Sequence, residues 1–211
     1  MTAEMNPHLR RAPAASGPPP SGARMTCVLV HGRDQDEGVM LDVVRRLGLD
    51  DVAYLLPVAA GRSWYPGRYF DPIADNWPHL VLAMQACEAA MAVATAAGVS
   101  NERIVVGGFS QGACVTTELL ARRPRPFAGA AILTGSLLGS VDERITPARV
   151  DGLRMFFGLS RYDEWVALED ARATATAFAR SGAAVTFEAY EDRAHHISDR
   201  AVGGLRKLLA D

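Results

Sequence analysis

Ser110 sits in Gly108-Phe109-Ser110-Gln111-Gly112, a spacing that can present a hydroxyl for nucleophilic attack. Glycines two residues to either side fit a sharp, crowded turn in which a Cβ would collide with a neighbouring strand or helix. Before the turn, Arg103-Ile104-Val105-Val106-Gly107 is β-branched and apolar and reads as a buried strand. After it, Ala113 to Ala121 forms a helix that must stop before Pro124. Strand, sharp turn and helix lift the serine into a cleft and aim the first N–H groups of the helix at the same point.

Such a serine needs a base, and the base needs an orienting carboxylate. Strand Leu153–Leu159 runs into Ser160-Arg161-Tyr162-Asp163, and strand Val185–Tyr190 runs into Glu191-Asp192-Arg193-Ala194-His195-His196. The order is serine, acid, histidine, each after a strand, so all three leave a parallel sheet on one edge. Asp163 also reads as a helix cap before Glu164, and Glu164 and Asp192 are the alternative acids. The residues alone leave His195 and His196 open as the base, since neighbours in a loop point different ways. His31 reads as a structural side chain that bonds backbone beneath an oxyanion loop. Two amides are needed for an oxyanion: Gln111 supplies one, and the turn His31-Gly32-Arg33-Asp34 the other, from Arg33. The chemistry is acyl transfer to Ser110 followed by hydrolysis, with no metal or organic cofactor.

The rest of the chain alternates strand and helix. Strands are expected at 26–30, 52–56, 103–107, 127–133, 153–159 and 185–190, with helices at 38–47, 77–97, 113–121, 164–180 and 198–209. This order predicts one three-layer αβα domain with a mostly parallel central sheet, an α/β-hydrolase fold without a separate lid domain. Long loops at 58–76 and 134–151 follow strand ends on the ligand-binding edge and are expected to wall a pocket. Trp64, Tyr65 and Phe70, with Trp77 nearby, either line an apolar acyl or aryl pocket or pack the loop onto the body.

With 22 basic and 24 acidic residues and a net charge of −2, the 211-residue chain has no electrostatic footprint for nucleic acid. Cys27, Cys87 and Cys114 sit in apolar segments without metal-ligand spacing. They read as reduced and buried, which fits the cytoplasm. No apolar run is read as spanning a bilayer, and no strongly amphipathic cationic helix is seen, so stable membrane association is not expected. Residues 1–24 are rich in Pro, Ala, Gly and Ser and read as a disordered tail, with the domain at 25–211 and Met25 as an alternative start of translation.

Val28-Leu29-Val30-His31-Gly32-Arg33, Trp64-Tyr65-Pro66, Gly108-Phe109-Ser110-Gln111-Gly112-Ala113, Gly158 with Asp163 and Val166, and His195-His196-Ile197-Ser198 together resemble the phospholipase/carboxylesterase family of α/β-hydrolases. The likeness spans about residues 26–210. It implies the acid role for Asp163, the base role for His195 rather than His196, and hydrolysis of carboxylic esters, with a homodimer compatible but untested by any residue. Three departures stand out. Asp34 replaces the second glycine of the oxyanion loop, Ala194 replaces the glycine before the histidine, and the leading antiparallel strands look shortened or absent, which would expose an edge strand. A small-molecule ester is the expected partner. Acyl-protein thioesterase or lysophospholipase-like activity is the alternative, and a silent ligand-binding fold is the alternative of another class. The latter is disfavoured because all three residues of the triad are present.

Overall fold

The computed structural model describes residues 6–210. Seven strands form one sheet in the order β1-β3-β2-β4-β5-β6-β7. In chain order they are β1 (Ala14–Ser16), β2 (Met25–Val30), β3 (Val52–Leu56), β4 (Ile104–Phe109), β5 (Gly129–Leu133), β6 (Arg154–Ser160) and β7 (Ala184–Tyr190). Every pairing is parallel except that of β1 with β3. The helices are α1 (Glu37–Leu47), α2 (Ile73–Ala96), α3 (Gln111–Arg122), α4 (Leu168–Arg180) and α5 (Asp199–Ala210).

The central strands β2, β3, β4 and β5 are buried along their whole length, because helices cover both faces. Alternation splits them cleanly. Val28, Val30, Ile104 and Val106 face a core closed by α2, α3 and α4. Cys27, Leu29, Val105 and Phe109 face a second core closed by α1 and α5.

The expected disorder of residues 1–24 is corrected for the described part; residues 1–5 lie outside the described residues. Ala14–Ser16 pairs antiparallel with Tyr54–Leu56 and covers the β3 edge, so the leading antiparallel strands are shortened, as expected, to one strand of three residues. Asn6 is buried and its amide donates to the Leu82 carbonyl at 2.9 Å. His8 is buried as well. A chain starting at Met25 would lack this strand and these contacts. The composition misleads because the segment gains its order from β3 and α2, not from its own apolar content.

A second correction concerns α2. By length and composition this 24-residue helix is apolar enough to cross a bilayer, with a mean hydropathy of 1.3 over its most apolar window. Its Leu80, Met84, Cys87 and Met91 are buried in the core against the sheet. The helix begins at Ile73, earlier than the sequence suggested. Pro78 stands inside the helix, in its second turn, where it forgoes the N–H bond to the residue four before it. Helix α4 begins at Leu168 rather than 164, because Asp163 folds the preceding residues into a turn.

Candidate active site

Ser110 stands between β4 and α3 with φ 52° and ψ −120°, a conformation that a side chain seldom adopts. The flanking glycines are forced by contact. A Cβ on Gly112 would lie 2.2 Å from the Val30 carbonyl oxygen, and one on Gly108 2.5 Å from the Gly112 backbone. The turn therefore exists only with these two residues bare.

Ser110 Oγ lies 2.8 Å from His195 Nε2. His195 Nδ1 lies 2.8 Å from Asp163 Oδ2 and 3.0 Å from Oδ1. The network assigns the imidazole proton to Nδ1, facing the carboxylate, and leaves Nε2 to accept from the serine. Asp163 also accepts the amides of Trp165 and Val166 at 2.9 Å each, so the same carboxylate caps the turn and fixes the ring. Its side chain is fully buried. His195 is further held by the Phe109 ring at 5.0 Å, and its loop by Ser160, whose hydroxyl donates to the Ala194 carbonyl at 2.7 Å. His196 is exposed and bonds only locally, 3.1 Å from the Ala194 carbonyl oxygen and near Asp192. Glu164 lines the cavity, whereas Asp192 accepts the amides of Arg193 and Ala194. These bonds hold the Asp192 carboxyl below the usual value.

Gln111 is the first residue of α3, where an amide has no helical carbonyl to bond. In the turn after β2, the Gly32 amide donates to Gln35 Oε1 at 2.9 Å and the Asp34 amide to the Arg62 carbonyl at 2.8 Å. Arg33 is left as the amide of that turn with no protein acceptor among the described residues. Asp34 takes φ 59°, the left-handed conformation that a glycine would supply; aspartate tolerates it better than most side chains. The replaced glycine thus leaves the turn in place.

His31 is fully buried. Nδ1 bonds the Gly32 carbonyl oxygen at 2.7 Å and Nε2 accepts the Ala59 amide at 3.0 Å. One residue on, His8 Nδ1 accepts the Ala60 amide at 3.0 Å. Burial pushes both imidazoles below the usual value and keeps them neutral acceptors. Trp64 lies between these rings, 5.2 Å from His8 and 5.0 Å from His31, and its indole donates to the His31 carbonyl at 2.8 Å. This corrects the reading of Trp64 as a substrate contact: the ring is wholly buried and braces the oxyanion turn from beneath. Trp77 also lies away from the cavity, under the Arg122 guanidinium.

A cavity of about 580 Å³ opens over Ser110. Tyr65, Tyr69 and Phe70 from the first long loop line it, opposite Glu164, Trp165 and Val166. The loop is pinned from both oxyanion residues. Arg33 donates to the carbonyls of Tyr65, Pro66 and Gly67, and the Gln111 side chain accepts from the Trp64 amide and donates to the Tyr65 carbonyl. Tyr69 donates to Asp170 at 2.7 Å. Burial pushes the Asp170 carboxyl up, but Arg144 and Tyr69 outweigh it and hold it below the usual value. Cys114 also lines the cavity; burial pushes its thiol up to about 11, so it stays protonated. Trp165 was not singled out in the sequence, where it reads as part of a helix. All three cysteines are free and buried.

The family described as Phospholipase/Carboxylesterase matches residues 21–210. The chain belongs to this family. Its fold is that of the α/β-hydrolases. A probable carboxylesterase of Oryza sativa subsp. japonica is 32% identical over 164 residues, which cover 72% of this chain and 61% of that relative. Among solved structures, a phospholipase/carboxylesterase from Dyadobacter fermentans superposes with a TM-score of 0.86 at 27% identity, over 95% of this chain and 97% of that one. A Mesorhizobium loti carboxylesterase matches with a TM-score of 0.72 at 21% identity, over 90% and 91% of the two chains, a likeness of fold alone.

Proposed function

We propose that this member of the family is a serine carboxylesterase that hydrolyses small to medium carboxylic esters through an acyl-enzyme on Ser110. The observation that carries the reading is the unbroken run Ser110 Oγ, His195 Nε2, His195 Nδ1, Asp163, with its reactive end in the cavity.

As Ser110 Oγ attacks the ester carbon, His195 Nε2 takes its proton, and Asp163 stabilises the imidazolium through Nδ1–H. The carbonyl oxygen becomes an oxyanion, held by the amides of Gln111 and Arg33. When the tetrahedral intermediate collapses, the bond to the alcohol oxygen breaks and His195 gives that oxygen the proton. A water then enters, loses its proton to His195 and attacks the acyl carbon. The bond to Oγ breaks, Oγ regains the proton, and the carboxylic acid leaves. Protons and electrons balance at each step without metal or organic cofactor.

Tyr65 and Phe70 supply apolar lining for the substrate. The three unpaired cysteines favour a reducing compartment, the cytoplasm. Hydrolysis of p-nitrophenyl esters of rising acyl length, with Ser110→Ala beside the wild type, tests the reading. Activity confined to the wild type supports it and ranks acyl length. A folded wild type no faster than Ser110→Ala on every ester overturns it.

A further inference from the structure

Two large rings of the cavity lining are left substantially open to water: Trp165 is 56% exposed and Phe70 is 44% exposed. An indole in contact with solvent forgoes the gain from burying its large apolar face, so its position calls for an explanation. Trp64 is explained by complete burial and Trp77 by its cation–π contact, whereas the single ring contact of Trp165, with His195, leaves most of its indole in water. Its amide is fixed to Asp163, and its ring centre lies 6.2 Å from the His195 ring at an interplanar angle of 54°.

This placement identifies the half of the ester it meets. A general acid must come within hydrogen-bond reach of the leaving oxygen. A ring packed beside the imidazole and facing the cavity therefore borders the alcohol portion, not the oxyanion. The charges around the cavity describe that alcohol further. Asp34, Asp71 and Glu164 line it against Arg33 and Arg68. Arg33 is committed to three backbone carbonyls, and the Arg68 guanidinium sits over the Phe70 ring at 5.6 Å. Arg68 has no ion pair among the described residues, but three carboxylates against two arginines leave the lining acidic on balance, which disfavours an anionic alcohol.

We propose that Trp165 is a specificity-determining residue that selects esters of uncharged aromatic alcohols, its exposed indole receiving the ring of the leaving group. The proposal rests on His195 acting as the general acid of the hydrolysis. The proposal assigns Trp165 to the alcohol half alone, so its influence should end when the alcohol departs.

Benzyl acetate and cyclohexylmethyl acetate test this directly. They share one acetyl-enzyme and have leaving groups of similar size, so the ratio of their kcat/KM values isolates recognition of the ring. The wild type is expected to prefer the benzyl ester. Trp165→Leu should lower the ratio by about 2- to 10-fold, the scale of an aromatic pair beyond its area, and Trp165→Phe should restore most of it. A ratio unchanged in Trp165→Leu overturns the proposal while leaving the esterase reading intact, as does a variant that shifts acyl-length preference instead. A readout independent of turnover uses Ser110→Ala. Benzyl alcohol should shift the Trp165 indole N–H resonance, identified by its absence in Trp165→Leu, more than cyclohexylmethanol does. Equal response to both alcohols also overturns the proposal.

Discussion

The two walls of the cleft are built differently. On the oxyanion side, the Arg33 guanidinium and the Gln111 amide side chain tie down the carbonyls and amides of residues 64–67. His31 and His8 hold the successive amides of Ala59 and Ala60, and Trp64 fills the space between them. On the base side, Asp163 and His195 are fixed, yet Trp165, Tyr162 and His196 around them are exposed. Dipoles that stabilise a developing charge must not reorganise, so their wall is over-determined. The wall that meets the departing half of a substrate needs shape and a ring face, and it is held by fewer bonds.

The comparison is broken most severely at Asp163. Asp163→Asn retains an oxygen that can accept the Trp165 and Val166 amides but no longer holds the imidazole in the required tautomer. We expect kcat to fall by about 10⁴-fold with the melting temperature nearly unchanged. Steady-state kinetics beside a thermal melt check both halves of that expectation. A large loss of stability would show that the carboxylate's capping role depends on its charge.

On the opposite wall, Arg33→Lys keeps the charge and the backbone amide but replaces a planar fork with a single ammonium. Three carbonyls cannot all be served. Loosening the turn that carries the Arg33 amide is expected to lower kcat on the order of 10-fold with a smaller change in KM. An unchanged kcat would mean that the turn is held without the guanidinium.

A smaller and purely structural effect is expected at His8. His8→Leu removes the acceptor of the Ala60 amide, a part-buried bond whose loss should cost about 0.5–1.5 kcal/mol. His8→Asn offers an oxygen near the position of Nδ1 and should recover part of it. Chemical denaturation of the two variants gives the difference directly.

The same histidines set an acid sensitivity. Because burial lowers the pKa of His8 and His31 in the folded chain, the unfolded chain, at about 6.5, takes up protons first as pH falls. Their contribution to stability is complete above that value and declines below it. Melting temperatures from pH 8 to pH 5 should therefore fall, and His8→Asn should flatten the slope. An equally steep slope in that variant would remove His8 as a cause.

Much of the site was legible because it depends on local constraints. The elbow glycines are dictated by atoms four residues away and by the adjoining strand, and strand endings placed Asp163 and His195 on the serine's edge. His195 could not be separated from His196 by local pattern, only by resemblance. Trp165 was missed because its apolar neighbours looked helical, whereas the Asp163 cap turns them out of a helix. The segment before Met25 was misread because Ala14–Ser16 is too short to signal a strand and acquires its order from a partner about forty residues away.

The sequence by itself determined the layered α/β architecture, the nucleophile turn and the order of its chemical partners, since periodicity, glycine placement and strand ends encode these locally. Tertiary structure decided that Trp64 braces the site and Trp165 faces the cavity, that Asp34 can stand where a glycine was expected, and that the N-terminal segment closes the sheet. Each of those outcomes turns on contacts between residues far apart in the chain, where burial and an available hydrogen-bond partner outweigh the propensity of the residue itself.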